Sequence, residues 1–202
     1  MSLPTGVGHA LSPAMRIFTT TLLAAMLTGI SAAHADGYVS LGVGSEAALG
    51  GEMGDRFQPE GSGAGRLALG YRSRSVAIEA VAFGNGLGFM NSGATGDADM
   101  TTMSLGVDLK YHLHIALGLE AYGRAGLHRT WLSESVQSEM ATYQGDGHVL
   151  GGGLQYTFDL LPKIEAAVWA DYSRQVFELD DAAGESFTGS ADVVTLGVSL
   201  GL

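Results

Sequence analysis

The feature that most constrains this chain is alternating polarity, clearest in residues 164–177, IEAAVWADYSRQVF. Ile164, Ala166, Val168, Ala170, Tyr172 and Val176 share one parity, and Glu165, Ala167, Trp169, Asp171, Ser173 and Gln175 share the other. A period of two is a β-strand with two different faces. Eight such segments can be marked off, at approximately 37–45, 63–72, 75–84, 100–112, 115–131, 147–158, 164–178 and 190–202. Their connections alternate. Long stretches containing GSEAALGGEMGDRFQPEG, NGLGFMNSGATGDAD, LSESVQSEMATYQGDG and DDAAGESFTG are interleaved with short turns at Ser73-Arg74, near His112 to His114, and at DLLPK. That rhythm is an up-and-down meander with one elaborated rim and one trimmed rim. Proline agrees, because after residue 35 it occurs only as Pro59 in a long connection and Pro162 in a short one, away from every proposed ladder.

Alternation alone does not say which face meets water. A soluble calyx of the lipocalin kind would show it too, so the size of the polar-face residues decides. The fourth segment sets Met103, Leu105, Val107, Leu109 and Tyr111 against Ser104, Gly106, Asp108, Lys110 and His112. The fifth sets Ile115, Leu117, Leu119, Ala121, Gly123, Ala125 and Leu127 against Ala116, Gly118, Glu120, Tyr122, Arg124, Gly126 and His128. A water-facing exterior avoids glycine, which weakens an exposed strand. A narrow eight-stranded bore, in contrast, must mix small residues with large ones. Glycine supplies 31 of 202 residues and charged residues only 15%, so the polar faces read as a filled interior and the apolar faces as a lipid-contacting wall. The expected fold is an all-β, antiparallel, up-and-down, eight-stranded transmembrane β-barrel. Arg129 and Arg174 share the apolar parity but lie near strand ends, where the cost of a lipid-facing cation, about 2–4 kcal/mol at mid-depth, falls away.

Aromatic residues fit that wall. Tyr71, Tyr111, Tyr156 and Phe158 fall at the short-turn ends on the apolar parity and read as one interfacial girdle. Trp131 and Tyr172 begin the opposite girdle, whereas Phe83 has the wrong parity and Phe177 is ambiguous.

The N-terminus reads as an address. From Met15, the run MRIFTTTLLAAMLTGISAAHA offers Arg16, an apolar stretch to about Ile30, and Ala33-His34-Ala35, the layout of a cleaved secretory signal. Residues 1–35 are therefore expected to be extension and signal, with the barrel domain at 36–202. The segment before Met15 fits neither and is consistent with an upstream start codon. The formal charge is −11 and becomes −12 once Arg16 is lost with the signal, which argues against nucleic acid as a partner. With no cysteine, neither a disulfide framework nor a thiolate metal site is available.

These residues resemble the small eight-stranded outer-membrane β-barrels of Gram-negative bacteria, like the OmpA transmembrane domain and OmpX. Thr195, Gly197, Leu200 and Leu202 match the spacing of the family's C-terminal signal for the barrel-assembly machinery, although Leu202 stands where an aromatic is usual. The resemblance covers about 36 to 202, extends only to the barrel, and implies short periplasmic turns, long external loops, and contact with outer-membrane lipid and lipopolysaccharide.

Three constellations could carry chemistry. Arg66, Arg72, Glu79, Asp108, Lys110, Glu120, Arg124, Glu165 and Asp171 share the interior parity. Opposite charges confined there should pair, because an unpaired buried charge is expensive; a gate or proton path is the other reading. The long connections are acidic, with Glu46, Glu52, Asp55, Glu60, Asp97, Asp99, Glu134, Glu139, Asp146, Asp180, Asp181, Glu185 and Asp192 in or beside them. Such a rim could hold divalent cations or a basic partner, or simply be solvated. Third, His128, Ser133, Glu134, Ser135, Asp146 and His148 are residue types found in lipid-modifying rim enzymes, but no spacing makes them converge. The expected function is therefore a non-enzymatic outer-membrane protein with an ion-paired, largely plugged lumen, acting in envelope integrity or surface interaction, with no cofactor, metal or catalytic residue assigned. A narrow channel for small or hydrophobic solutes is the alternative, and a rim enzyme the third.

Overall fold

The computed structural model describes residues 36–45, 47–56, 58–60, 63–90, 97–136, 139–162, 164–180 and 186–201. The expected signal segment and Leu202 lie outside them. Ten strands and one short helix follow in order: β1 (Asp36–Gly44), β2 (Ala48–Gly51), α1 (Glu52–Arg56), β3 (Gln58–Glu60), β4 (Ala64–Ser73), β5 (Val76–Met90), β6 (Asp97–Ala116), β7 (Leu119–Val136), β8 (Glu139–Leu161), β9 (Ile164–Asp180) and β10 (Ser186–Gly201). Each long strand pairs antiparallel with the next, and β1 closes the ring on β10. The staves number eight rather than ten. β2 resumes on β10 beyond the place where β1 leaves it, and β3 pairs with β5 beyond the place where β4 begins.

The ring is staggered. From Val43 through Leu196 the ladder reaches Ala170 on β9. The other way, through Gly65, Gly84, Met103, Trp131 and Gln144, it arrives at Asp180 on the same strand. That ten-residue offset is the shear of the barrel, and it goes with strands tilted by about 35–45°. Among the described residues, the ring from β1 and β4 round to β10 has no open edge, so its ladder groups can all be paired in hydrocarbon, whereas β2 and β3 beyond it each pair on one side only.

The two faces follow the parity of the sequence. Leu41, Val107, Leu109, Leu150, Val168 and Leu196 are outward and exposed, while Arg66, Glu79, Asp108, Arg124 and Asp171 are inward and buried. Phe83, with its interior parity, is buried. The short connections sit slightly off their expected places. The first turn is at Arg74 and Ser75, with Arg74 at φ 55°, and the second is at Leu117 and Gly118, with φ 34° and 83°, after β6 has run on to Ala116. Two successive positive φ values match the hand of a two-residue hairpin.

The larger difference is at the other rim. Stretches expected as loops continue as paired strand: β7 runs to Val136 and β8 starts at Glu139, and Ala48–Gly51 is strand, not loop. Here the inside changes character. Ala47, Met53, Phe83, Leu132, Tyr143, Phe177, Leu179 and Val193 form a buried apolar cluster within the projecting part of the tube, beneath outward-facing Gln144, Asp146, Glu178 and Asp180. Where the outward face turns polar, water can wet it, so apolar residues turn inward as in any soluble barrel.

Glycine makes the bore wide enough for its largest occupant. Trp169 faces inward at 5% exposure, and a Cβ at Gly42 or Gly197 would run into its indole ring. A side chain at outward-facing Gly123 would meet nothing. Gly197→Ala should therefore destabilise the barrel by about 1–3 kcal/mol, and Gly123→Ala should change it by less than about 0.5 kcal/mol, as read from urea unfolding in lipid vesicles.

Candidate functional site

The candidate site is the bore, because β4, β5, β6, β7 and β9 each aim charged residues into it. Nearest the short turns, Arg72 on β4 reaches across to Glu120 on β7, with Nη1 and Nη2 donating to the two carboxylate oxygens at 2.8 and 2.7 Å. Its Nε donates to the carbonyl of Arg74 at 2.8 Å, so the strut is tied to the turn.

One level up, Glu79 is fully buried. Its Oε2 accepts from Arg66 Nη2 at 2.5 Å, and its Oε1 accepts from Tyr38 Oη at 2.7 Å and from Lys110 Nζ at 3.3 Å. Above that, Arg124 joins two carboxylates: Nη1 donates to Asp108 Oδ2 at 2.6 Å, and Nη2 and Nε donate to Asp171 at 2.9 and 3.0 Å. His128 Nε2 lies 2.7 Å from Asp108 Oδ1, and Arg66 links the two levels at 3.7 Å from Asp108. Arg66, Lys110 and Arg124 thus balance Glu79, Asp108 and Asp171 within one connected cluster. Ionised hydrogen bonds of this kind are about twice as strong as neutral ones.

Aromatic faces complete the shell. The Arg66 guanidinium lies 5.4 Å from the Trp169 ring centre, and Lys110 Nζ lies 4.1 Å from that of Tyr122; rings favour cations at such distances. A neutral polar layer follows, including Ser104 and Thr130 with their hydroxyls 2.9 Å apart. The apolar cluster then closes the far end. Its inserted Met53 is held by α1, whose Glu52 Oε2 accepts from the Thr188 amide at 2.8 Å.

All nine sequence-derived interior residues keep to the bore. Eight of them join the ion pairs above, and Glu165 lines the cavity at the short-turn mouth. Tyr38 and Trp169 also line the bore, beyond the charged residues that the sequence marks for it. Tyr38 shares the parity of Ser40 and Gly42, and Trp169 that of Asp171, so parity was the available signal.

On the outside, Tyr71, Tyr111, Tyr156 and Phe158 are exposed at the short-turn end, and Tyr156 and Phe158 stack at 6.3 Å. Tyr172 is outward with its hydroxyl donating to Asp192 at 2.8 Å, and Trp131 is outward and half-buried. Thr195 and Gly197 face inward, whereas Leu200 faces out.

The rim-enzyme residues do not converge. His128 is inside on Asp108, whereas His148 is outside and exposed. Asp146 is also outside, with one oxygen 3.3 Å from Arg129. Glu134, expected on the acidic rim, is instead buried in the bore beside the Tyr143 hydroxyl at 3.4 Å. Its even position on β7 explains this, because the strand continues past the point where a loop was expected. Among the described residues, no group of three or more His, Asp or Glu side chains is arranged to hold a metal.

No protein-family model matches the sequence, and no curated protein matches it either. Solved structures do. Neisserial surface protein A superposes with a TM-score of 0.58 at 15% identity, over 83% of this chain and 98% of the other. The attachment invasion locus protein Ail of Yersinia pestis gives 0.55 at 16% identity, over 84% and 100%. A major outer membrane protein of Thermus thermophilus gives 0.50 at 13% identity, over 84% and 100%. With its ring of eight antiparallel staves, polar bore and apolar wall, this chain has the fold of the small outer-membrane β-barrels.

Proposed function

We propose that this protein is a non-enzymatic barrel of the Gram-negative outer membrane, whose bore is a structural plug and whose projecting wall is the surface that meets the surroundings. The observation that carries the reading is the charge-balanced cluster of Arg66, Lys110, Arg124, Glu79, Asp108 and Asp171, stacked beneath an apolar cap. A conducting path needs ions to exchange water for wall groups that then release them. Here the wall groups are already committed to one another, and the apolar layer offers an ion nothing in return. The wall sits in lipid and lipopolysaccharide, and the C-terminal strand is the segment offered to the barrel-assembly machinery. Outward-facing Asp146, Glu178 and Asp180 on the projecting rows of β8 and β9 favour divalent cations or a basic partner over an acidic one.

The refolded protein in planar bilayers should pass no steady current. A sustained ohmic conductance would replace this reading with the narrow channel. The plug also has an energetic signature. Arg124→Met strands Asp108 and Asp171 without their shared cation, which should cost about 3–5 kcal/mol of unfolding free energy. Adding Asp108→Asn and Asp171→Asn to Arg124→Met should recover most of that loss, as measured by urea midpoints in vesicles.

A further inference from the structure

The apolar wall is not uniformly smooth. Towards the short-turn end, β7 to β10 form an outward groove of about 380 Å³. Two ladder rows build it. The lower row runs through Leu119, Tyr156 and Val168, and the upper row through Leu154, Ala170 and Leu196, each residue directly opposite the next. All six have outward parity and line the groove. Ala170 offers one methyl between two leucines, and that is the depression. Gly197, which also lines the groove, has no side chain, and the Trp169 ring is buried in the bore, so the floor there is bare backbone.

Another small residue shows what the lower row adds. Ala125 also sits between two leucines, Leu109 and Leu150, but Gly123 and Gly152 lie directly beneath it. No side chain closes the lower end of that hollow.

We propose that the groove at Ala170 retains one straight acyl chain of a phospholipid from the periplasmic leaflet. The site rests on the reading that the wall stands in lipid, and it is continuous with that interface. Tyr156, at its border, belongs to the short-turn girdle, so a chain held there descends from the periplasmic side, where the short turns of such barrels lie. In hydrocarbon no hydrophobic effect drives a chain onto the wall, so packing decides. A chain on a flat wall makes contact on one side, whereas in the groove it touches the floor and both flanks. Such contacts are individually tiny and collectively large. A methyl-branched chain is too thick to reach a floor set between Leu154 and Leu196. No lining residue is charged, so what is recognised is the chain and not the headgroup.

The test uses the full mature barrel with methyl-labelled alanine and leucine, refolded in a steroid-tailed detergent whose fused rings cannot lie in the groove. The probes are dipalmitoyl phosphatidylcholine and its methyl-branched diphytanoyl analogue, which share a headgroup. With the straight-chain lipid, the Ala170, Leu154 and Leu196 resonances should shift saturably, half-complete near a lipid mole fraction of about one tenth. That is a preference of about tenfold over the detergent, or about 1.4 kcal/mol. Ala125 and Leu109 should instead drift in proportion to mole fraction, and the branched lipid should move every one of these resonances proportionally. Ala170→Leu should abolish saturation at Leu154 and Leu196, and Ala125→Leu should leave it intact. Heat-modifiable migration confirms that each variant is folded. Proportional shifts at Ala170, Leu154 and Leu196, or equal saturation by both lipids, would overturn the assignment. Shifts that follow barrel concentration would also overturn it, giving the groove to a second copy of the chain. Flotation with vesicles keeps the membrane reading separate: a barrel that floats yet shifts proportionally loses the groove alone, and one that does not float loses both.

Discussion

Backbone closure is the constraint from which the rest follows. Hydrocarbon offers no hydrogen bonds, so a sheet can cross it only if its first and last strands meet, as β1 and β10 do here. Eight staves with a ten-residue stagger then fix a bore just wide enough to be filled by side chains. The stagger also decides which residues share a level. Arg124 and Asp171 are 47 residues apart, and Arg72 and Glu120 are 48 apart, yet each pair meets inside the bore, the first across one intervening stave and the second across two. Inward positions must therefore be chosen jointly across strands, with Trp169 accommodated by the absent side chains of Gly42 and Gly197.

The solvent outside the wall changes along the tube, and the lining changes with it. Within the apolar band, the inside has no hydrophobic driving force to exploit, because lipid is as apolar as any core could be. Polar groups there are held by direct pairing. Above the band the ordinary hydrophobic effect returns, and Leu132, Phe177 and Leu179 are buried while Glu178 and Asp180 face out. Arg129 with Asp146, and Arg174 with Asp192, lie outside near this change, at 3.3 and 3.9 Å. Such solvated pairs add little stability. Both pairs lie where the outward face is already becoming polar, so neither interrupts the apolar wall.

Parity made the membrane part legible. It put Arg66, Asp108, Arg124 and Asp171 inside and Leu109, Val168 and Leu196 outside, because a single rule holds along the whole hydrocarbon-spanning length. It did not make the rim legible. There the outward face becomes polar and the inward face apolar, so a segment such as ATYQGDG loses the contrast that identified strands lower down, and its paired residues in β8 read as loop. Glu134, an acidic-rim residue by sequence, is buried for the same reason, since β7 continues past it to Val136. Partner choice within the bore was hidden as well. That Arg124 binds both Asp108 and Asp171 depends on register and stagger, which no single strand's sequence encodes.

Register gives the buried charges a role that their pairwise energies alone do not. Desolvation offsets much of what buried ion pairs gain, so their net contribution to stability is small compared with the cost of breaking one. A slip of one residue, however, exchanges the two faces of a strand. For β7 it would turn Glu120 and Arg124 toward lipid, and for β6 Asp108 and Lys110. A lipid-facing Arg or Lys costs about 2–4 kcal/mol at mid-bilayer, and each displaced residue also abandons partners stranded in the bore. The wall itself discriminates weakly, since Ala121, Gly123 and Ala125 on β7 are small enough to sit on either side. The cluster centred on Arg124 therefore acts chiefly as a lock on strand register, excluding alternative pairings more than it deepens the native one.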